Sequence, residues 1–501
     1  MLARCRPQLR GPWIRYLNNP SISRGLLPTI GQILTSPPSP DTETTITAFV
    51  KSIRKQKHVA FADISDGSSP RSLQAVIEPE IIGPELIQRV TSGASVKLTG
   101  KLVESLGSGQ AYDLRVEQLE ILGSCDPAAY PLQKKTHTHE HLRANSHLRP
   151  RTEETAAVMR TRALLTRAIS EYFDSQQFVQ VHTPVITSND TEGAGETFRV
   201  MPALDNIDLP DASDTTTETD SGARSEFFGV PAHLSVSAQL HLEALSHALS
   251  RVYTLAPAFR AERSQTNRHL AEFWMLEAEM QMAAPSMTQL LDVVEASLRH
   301  VLDAYTKSLD SKLRFGETTS AQAALDQPWR RISYTEALME LEAAHDEGAF
   351  VKATGKGKGK DIVPRPEWGL GLRGEHERYL ARDAPVFVTD YPAKIKPFYM
   401  RANDVDSERQ TVSCFDLLVP GIGELAGGSV REERIERLDL ALEEAGLDME
   451  EFKWYRDLRI YGGAPHAGFG LGFERLVSFV SGLENVRECI AFPRTFGRMG
   501  I

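Results

Sequence analysis

The stretch from Phe259 to Met280, FRAERSQTNRHLAEFWMLEAEM, leaves this chain few options. Read with a period of two, Arg260 and Glu262 point one way on an incoming strand, and Phe273, Met275, Glu277 and Glu279 share one face of an outgoing strand. Between them runs a polar loop, SQTNRH, that carries Arg268 and His269. A hairpin that aims an Arg, several carboxylates and an aromatic ring at one surface suits a nucleotide: the guanidinium for a phosphate, the ring for a base, the acids for amine donors or a metal. An ordinary hairpin with a charged outer face would alternate in the same way. Pro257 in the incoming strand implies an edge or a bulge.

The chain has 501 residues, enough for two or three domains and a large core. Its apolar share of 41 % and charged share of 25 % are ordinary for a globular protein. No apolar run approaches the roughly 18 residues that a membrane-spanning helix needs. Cys5, Cys125, Cys414 and Cys489 are scattered without a CxxC pair, which argues against a disulfide framework and against a thiolate zinc site.

The first forty residues differ in kind. Arg4, Arg6, Arg10, Arg15 and Arg24 occur with no acid before Asp41, among Ser, Leu and Pro. Residues 1–40 therefore read as an organelle import segment, with a basic disordered tail as the alternative. Removing five Arg and no acid takes the formal charge from −11 to −16. A net acidic protein can still bind RNA through a local basic face.

From residue 43 to 124 the pattern is short alternating strands, TITAFVKSIR, VAFADIS, SLQAVI, SVKLTGKLVES and AYDLRVEQLEIL, with one helix, PELIQRV, before the fourth. That order fits an OB-type barrel, a fold that binds single-stranded nucleic acid by stacking bases on rings in a basic groove. Lys51, Arg54, Lys55 and Lys57 supply charge. Phe61 is either a stacking ring or part of the barrel core.

Residues 125–150 form a proline-marked connector, and its His137, His139, His141 and His147 read as solvated rather than as a metal site. A helix begins after Thr152, with Glu153 and Glu154 in its first turn and Val158, Leu165, Ile169, Tyr172 and Phe173 on one face. It leads into FVQVHTPVIT, where Pro184 sits in a strand and implies an edge. Residues 203–225, rich in Asp, Thr and Ser, read as a surface insertion, as do 351–366 around ATGKGKGKD, which lacks phosphate-loop spacing.

Towards the end, FDLLVPGIGELAGGSVREER places Asp416 and Glu424 on two sides of a Gly-Pro turn and delivers Arg431 just before an amphipathic helix. Paired carboxylates beside a phosphate site suit Mg²⁺. GFGLGFERLVSFVSG then runs a glycine-rich strand into a helix that carries Arg475.

FRAE with RHLAEF resembles motif 2 of the class II aminoacyl-tRNA synthetases. The helix leading to Pro184 resembles motif 1, which forms a dimer interface in that class, and GFGLGFER resembles motif 3. The wording SNDTEGAGE, RHLAEFWMLE, EHERYL, PFYM, PGIGE, GGSVREER and PHAGFGLGFER is similar to the asparaginyl-tRNA synthetase family of bacterial and organellar type, over roughly residues 43–501. The fold implied is α+β: an N-terminal OB-fold anticodon-binding barrel followed by a class II catalytic domain over 151–501, an antiparallel sheet flanked by helices. The resemblance implies ligation of asparagine to tRNA(Asn) through an asparaginyl-adenylate, with ATP and Mg²⁺, by a homodimer joined around Pro184 and working in the mitochondrial matrix. Carried onto this sequence, it implies that Arg260 holds the α-phosphate and the substrate carboxylate. Phe273 then stacks on adenine and Glu262 takes its amino group. Arg268, His269 and Arg475 grip the outer phosphates, and Asp416 and Glu424 hold Mg²⁺. Glu192, Ser237 and Gln239 receive the substrate ammonium, Phe61 stacks on an anticodon base, and Gln74 and Arg54 lie beside it.

Specificity rests on the side-chain pocket. Arg431 can donate to either asparagine or aspartate. In aspartyl relatives a Lys follows the QL pair, whereas this chain has Leu242 and then Glu243. Glu243 is expected to accept from the asparagine amide, directly or through water, and to repel aspartate. Two like charges about 4 Å apart at an effective dielectric of about 20 cost about 4 kcal/mol, or about a thousandfold. The competing readings are an aspartyl enzyme of relaxed tRNA specificity, an asparagine synthetase on the same catalytic fold, and a non-catalytic RNA-binding relative. The absent Lys opposes the first and the barrel opposes the second. The presence of Arg260, Asp416, Glu424 and Arg475 opposes the third.

Overall fold

The structure, a computed structural model, describes residues 25–39, 42–107, 109–188, 196–202, 226–264, 266–315, 320–352, 361–404 and 409–499. It divides into two compact units, residues 1–136 and 137–501.

In the first unit, strands Glu43–Lys55, Ala60–Ser65, Leu73–Ile77, Ser95–Glu104 and Tyr112–Gly123 close a barrel, with the fifth strand lying between the third and fourth. Alternation closes it: Ile46, Ala48, Val50, Ala60, Ala62, Ile64, Leu73, Ala75 and Ile77 all point inward and are buried. A helix, Pro84–Arg89, enters before the fourth strand as the sequence predicts, with Pro in its first turn.

One element lies inside the stretch that reads as a leader. Ile30–Thr35 is a helix started by a capping box between Thr29 and Gln32. Its Ile30 and Ile33 join the barrel core. The Ile30 amide donates to the Asp66 carboxylate at 2.8 Å, and the Gly31 amide donates to Ser68 Oγ at 2.8 Å. The last part of residues 1–40 is thus a piece of the barrel unit.

The connector is also shorter than its prolines suggest. His139–Ala144 is helical, Arg143 pairs with Glu488, and the buried Arg149 donates to the carbonyls of Arg487 and Ile490. From about His137 the chain therefore belongs to the second unit.

That unit is built on a sheet whose strands run in the order Arg330–Ser333, Val386–Thr389, Cys414–Val419, Gly423–Val430, His466–Gly472, Glu272–Gln281, Arg251–Phe259 and Val179–Gln180. The pairing is antiparallel except at the two ends, where the outermost pairs are parallel. Helices Glu153–Ser175, Met287–Thr306 and Phe473–Ser481 cover one face. Their Leu165, Phe173, Leu290, Leu298 and Leu476 pack on Leu276, Ala278, Phe415, Phe469 and Leu471. Alternation leaves the opposite face to Glu277, Glu279, Asp416 and the glycines.

Pro184 differs from expectation. FVQVHTPVIT does not form one strand: Val179–Gln180 and Ile186–Thr187 pair with separate partners, and Pro184 lies unpaired between them. Its missing N–H explains the interruption. Among the described residues no helix is long and apolar enough to cross a membrane. The insertion at 203–225 and the 353–360 part of the second lie outside the described residues, and Val351–Lys352 pairs with Asp361–Ile362 across the latter.

Candidate active site

Cross-strand register makes the floor of the site. One row reads Asp416, Gly427, Gly470, Glu277, and the next reads Cys414, Ser429, Gly468, Glu279. With strands about 4.8 Å apart, Asp416 and Glu277 stand roughly 14 Å from each other across an open glycine floor. At Gly468 and Gly470 there is little spare room. A Cβ on Gly468 would fall 1.8 Å from Glu279 Oε2 and 2.5 Å from the Ala278 carbonyl, and one on Gly470 would fall 2.6 Å from Met275 Cε.

Two cavities open on this floor. Arg260, Glu262, Arg268, His269, Phe273 and Arg475 line the first. Ser237, Gln239, Glu277, Glu279, Lys396 and Arg431 are among those lining the second. Arg260, Met275, Glu424 and Gly470 belong to both. The sequence-derived nucleotide residues are therefore brought together, with Arg260 at the junction and its guanidinium 5.5 Å over the Phe273 ring. His269 Nε2 lies 3.4 Å from Glu262, and its pKa is lowered by burial and by the neighbouring arginines despite Glu262. Arg475 donates to the Glu424 carbonyl at 2.9 Å, and Arg268 donates to Glu377 at 3.2 Å.

In the second cavity Ser237 Oγ donates to Glu277 at 2.5 Å, and Glu277 also accepts from the amide of Ala238, the residue just before the helix Gln239–Leu249. Arg431 forms a fork with Glu279, Nε to Oε1 at 3.1 Å and Nη2 to Oε2 at 3.0 Å, while Nη1 donates to Ser429 at 2.7 Å. Burial pushes the Glu279 carboxyl up, against the pull of Arg431, and the nearby Glu243 adds to the rise.

Glu243 is not where the specificity argument needs it. It is fully buried behind the cavity. Its carboxylate accepts from Gln239 Nε2 at 3.1 Å, Tyr455 OH at 2.6 Å, Arg459 Nη2 at 2.9 Å and His466 Nε2 at 2.9 Å, with Arg431 Nε 3.7 Å away. Burial alone would raise its pKa, but Arg459, His466 and Arg431 pull it far below the usual carboxylate range. With its oxygens so engaged, Glu243 acts on the cavity through Arg431 and Gln239 rather than by touching a substrate. The helix Lys453–Ile460, which brings Tyr455 and Arg459, made the difference. Glu243, Glu279 and His466 also come close enough to ligate a metal, but the Arg431 and Arg459 guanidinium groups already serve as their cations.

Asp416 and Glu424 do converge: Asp416 Oδ1 and Glu424 Oε1 lie 3.4 and 3.6 Å from the point where a Gly427 Cβ would sit. Hard oxygen donors on a glycine floor fit a divalent cation. Glu192 lies outside the described residues. Alternation singled out Glu277 and Glu279 without giving them a role. Sequence reasoning missed Lys396 and Glu377, although Glu377 lies in the quoted EHERYL and Lys396 stands just before the quoted PFYM.

In the barrel unit, Phe61 lies on the outer face. Its strand alternates with Ala60, Ala62 and Ile64 inside, and Phe61 is absent from the barrel core. The exposed Arg54 sits opposite it in register, guanidinium 5.2 Å over the ring. Gln74 faces outward on the next strand and donates to Asp113 at 3.3 Å.

An antiparallel sheet whose hairpin, acid-bearing strand and glycine strand form one floor defines a class. The chain belongs to the tRNA synthetases class II (D, K and N), whose family model matches residues 138–496, and an OB-fold nucleic acid binding domain matches residues 44–122. Within that class it falls among the asparagine–tRNA ligases. The Desulfotalea psychrophila enzyme is 42 % identical over 90 % of this chain and 95 % of its own length. The Sodalis glossinidius enzyme is 43 % identical over 91 % and 95 %. The asparaginyl-tRNA synthetase from Pyrococcus horikoshii, solved with asparaginyl-adenylate, superposes with a TM-score of 0.77 at 29 % identity, covering 92 % of this chain and 96 % of that one.

Proposed function

We propose that this chain activates asparagine with ATP and transfers it to tRNA(Asn). What carries the reading is the pair of cavities meeting at Arg260, one suited to a nucleotide and one ending at Arg431. Substrate carboxylate attacks the α-phosphorus in line, giving the aminoacyl-adenylate and pyrophosphate, and a ribose hydroxyl of the terminal tRNA adenosine then takes the acyl group and releases AMP. Both reacting groups are anionic, so positioning and charge neutralisation do most of the work.

Arg260 spans the carboxylate and the α-phosphate, Phe273 stacks on adenine, and Glu262 accepts from its amino group. Arg268, His269 and Arg475 hold the outer phosphates. Glu277, with Ser237 and Gln239, receives the ammonium, together with Glu192. Arg431 donates to the side-chain oxygen. Asp416 and Glu424 would hold Mg²⁺, which supplies charge neutralisation on the phosphates when bound. Asparagine is preferred because the charges around Arg431 are already met: Glu279 forks it and Glu243 stands behind. An aspartate carboxylate would add a third anion to a cation already shared.

ATP–pyrophosphate exchange with asparagine and aspartate in parallel tests this. Exchange with asparagine alone is expected. Equal exchange with aspartate would sink the pocket argument, and none with either would favour a non-catalytic relative.

The outer barrel face of Phe61, Arg54 and Gln74 takes the anticodon. A homodimer joins around Pro184, where the neighbouring Val179, Val185 and Ile186 are exposed apolar side chains. A monomer in sedimentation equilibrium would refute that. Residues preceding Thr29 act as a mitochondrial matrix import segment, supported by their arginines without acids. Failure of residues 1–28 to carry a reporter into isolated mitochondria would refute it.

A further inference from the structure

Each carboxylate of the Asp416–Glu424 pair already holds a cation. Lys396, from the loop after the Val386–Thr389 strand, donates to both Asp416 oxygens at 2.9 Å. Its side chain is only 16 % exposed, and its ammonium lies 4.1 Å over the Tyr391 ring. Arg475 Nη1 lies 3.3 Å from the Glu424 carboxylate. Two anions and two cations leave the local charge near zero. A divalent ion entering alone would add two positive charges beside two others, with little field to draw it in. A polyphosphate reverses that balance, because Arg475 faces the nucleotide cavity and Lys396 faces the amino-acid cavity.

We propose that Lys396 is a resident counter-ion that makes divalent-metal binding at Asp416 and Glu424 conditional on nucleotide, so that metal and ATP enter together and the freed ammonium turns to the anions at Arg260. This rests on the reading that Asp416 and Glu424 hold the metal. A lysine serving only to fill space beneath Asp416 would have no effect on when metal binds.

Mn²⁺ binding, followed by electron paramagnetic resonance on the full chain, separates the two. Without nucleotide, Lys396→Met is expected to bind Mn²⁺ about tenfold or more tighter than the parent, and Lys396→Arg is expected to match the parent. Adding Asp416→Asn to Lys396→Met is expected to abolish the gain. With α,β-methylene ATP present, the parent is expected to bind Mn²⁺ and Asp416→Asn to weaken it. Unchanged nucleotide-free affinity in Lys396→Met, with Asp416→Asn still weakening the analogue-loaded site, would overturn the counter-ion role alone. If Asp416→Asn leaves the analogue-loaded site unaffected, the metal assignment falls and the proposal with it. Near-ultraviolet circular dichroism confirms folding, and Lys396→Arg provides the charge-retaining control should Lys396→Met unfold.

Discussion

Arg431 and Glu279 meet fork to fork at 3.1 and 3.0 Å, both buried, on the floor of the cavity proposed for the substrate side chain. A guanidinium fixed in this way presents its remaining N–H groups in one direction, which a free arginine would not do. Glu279→Gln is expected to lower kcat/KM for asparagine in pyrophosphate exchange about a hundredfold, or ~3 kcal/mol, since truncating one partner of a buried charge pair leaves the other misaligned. KM for ATP should change little, because Glu279 lines only the second cavity. Equal losses for both substrates would instead point to collapse of the floor.

Glu243 has a pKa depressed by Arg459, His466 and Arg431, which outweigh burial. Because the folded value lies below the unfolded one, its stabilisation is complete above the ordinary carboxylate pKa of about 4.3 and drains away as pH falls towards the folded value. Glu243→Gln is expected to cost about 3–5 kcal/mol at pH 7, since it leaves buried cations unmatched. The gap from the parent should narrow below about pH 4.3. Urea unfolding at several pH values checks this, and a gap independent of pH would mean that Glu243 contributes by packing alone.

The glycine strand offers a contrast within one motif. Gly468→Ala would drive a Cβ into Glu279 and the Ala278 carbonyl, whereas a Cβ at Gly472 would meet only Arg475 atoms at 3.5 Å and beyond. Gly468→Ala is expected to lose about 1–3 kcal/mol of stability together with asparagine-dependent exchange. Gly472→Ala should unfold at the parental temperature. Thermal melts of both variants decide it.

Much of this site is written in the period-two pattern. The alternation from Phe273 to Glu279 and the glycines from Gly468 to Gly472 each show a face, and the structure puts both on the floor. What alternation cannot show is register between strands far apart in sequence, so the pairing of Glu279 with Gly468 was not legible and the glycines read only as room for a ligand. Glu243 shows the same gap on a helix: its place in the chain is near the pocket, but which way it faces is set by Tyr455 and Arg459 arriving from another element. Lys396 and Glu377 sit at a loop turn and on a short helix, where no periodicity marks a functional side chain. FVQVHTPVIT has strand composition throughout, which places Pro184 in a strand, yet pairing needs a partner and Pro offers no donor.

The barrel gives a separable readout. Phe61 lies outside the barrel core, stacked under Arg54, so removing its ring exposes no cavity. A ring that serves only as surface would leave tRNA charging untouched. A ring that stacks on a base contributes about 1–3 kcal/mol. Phe61→Ala is therefore expected to lower kcat/KM for tRNA in aminoacylation by about 10- to 100-fold, while ATP–pyrophosphate exchange, which needs no tRNA, stays at the parental rate. Urea unfolding should show a change within about 0.5 kcal/mol, the usual range for a surface site. Replacement by Trp should preserve charging, because a larger ring still offers a face to the base. Parental charging by Phe61→Ala would move anticodon recognition off this face of the barrel.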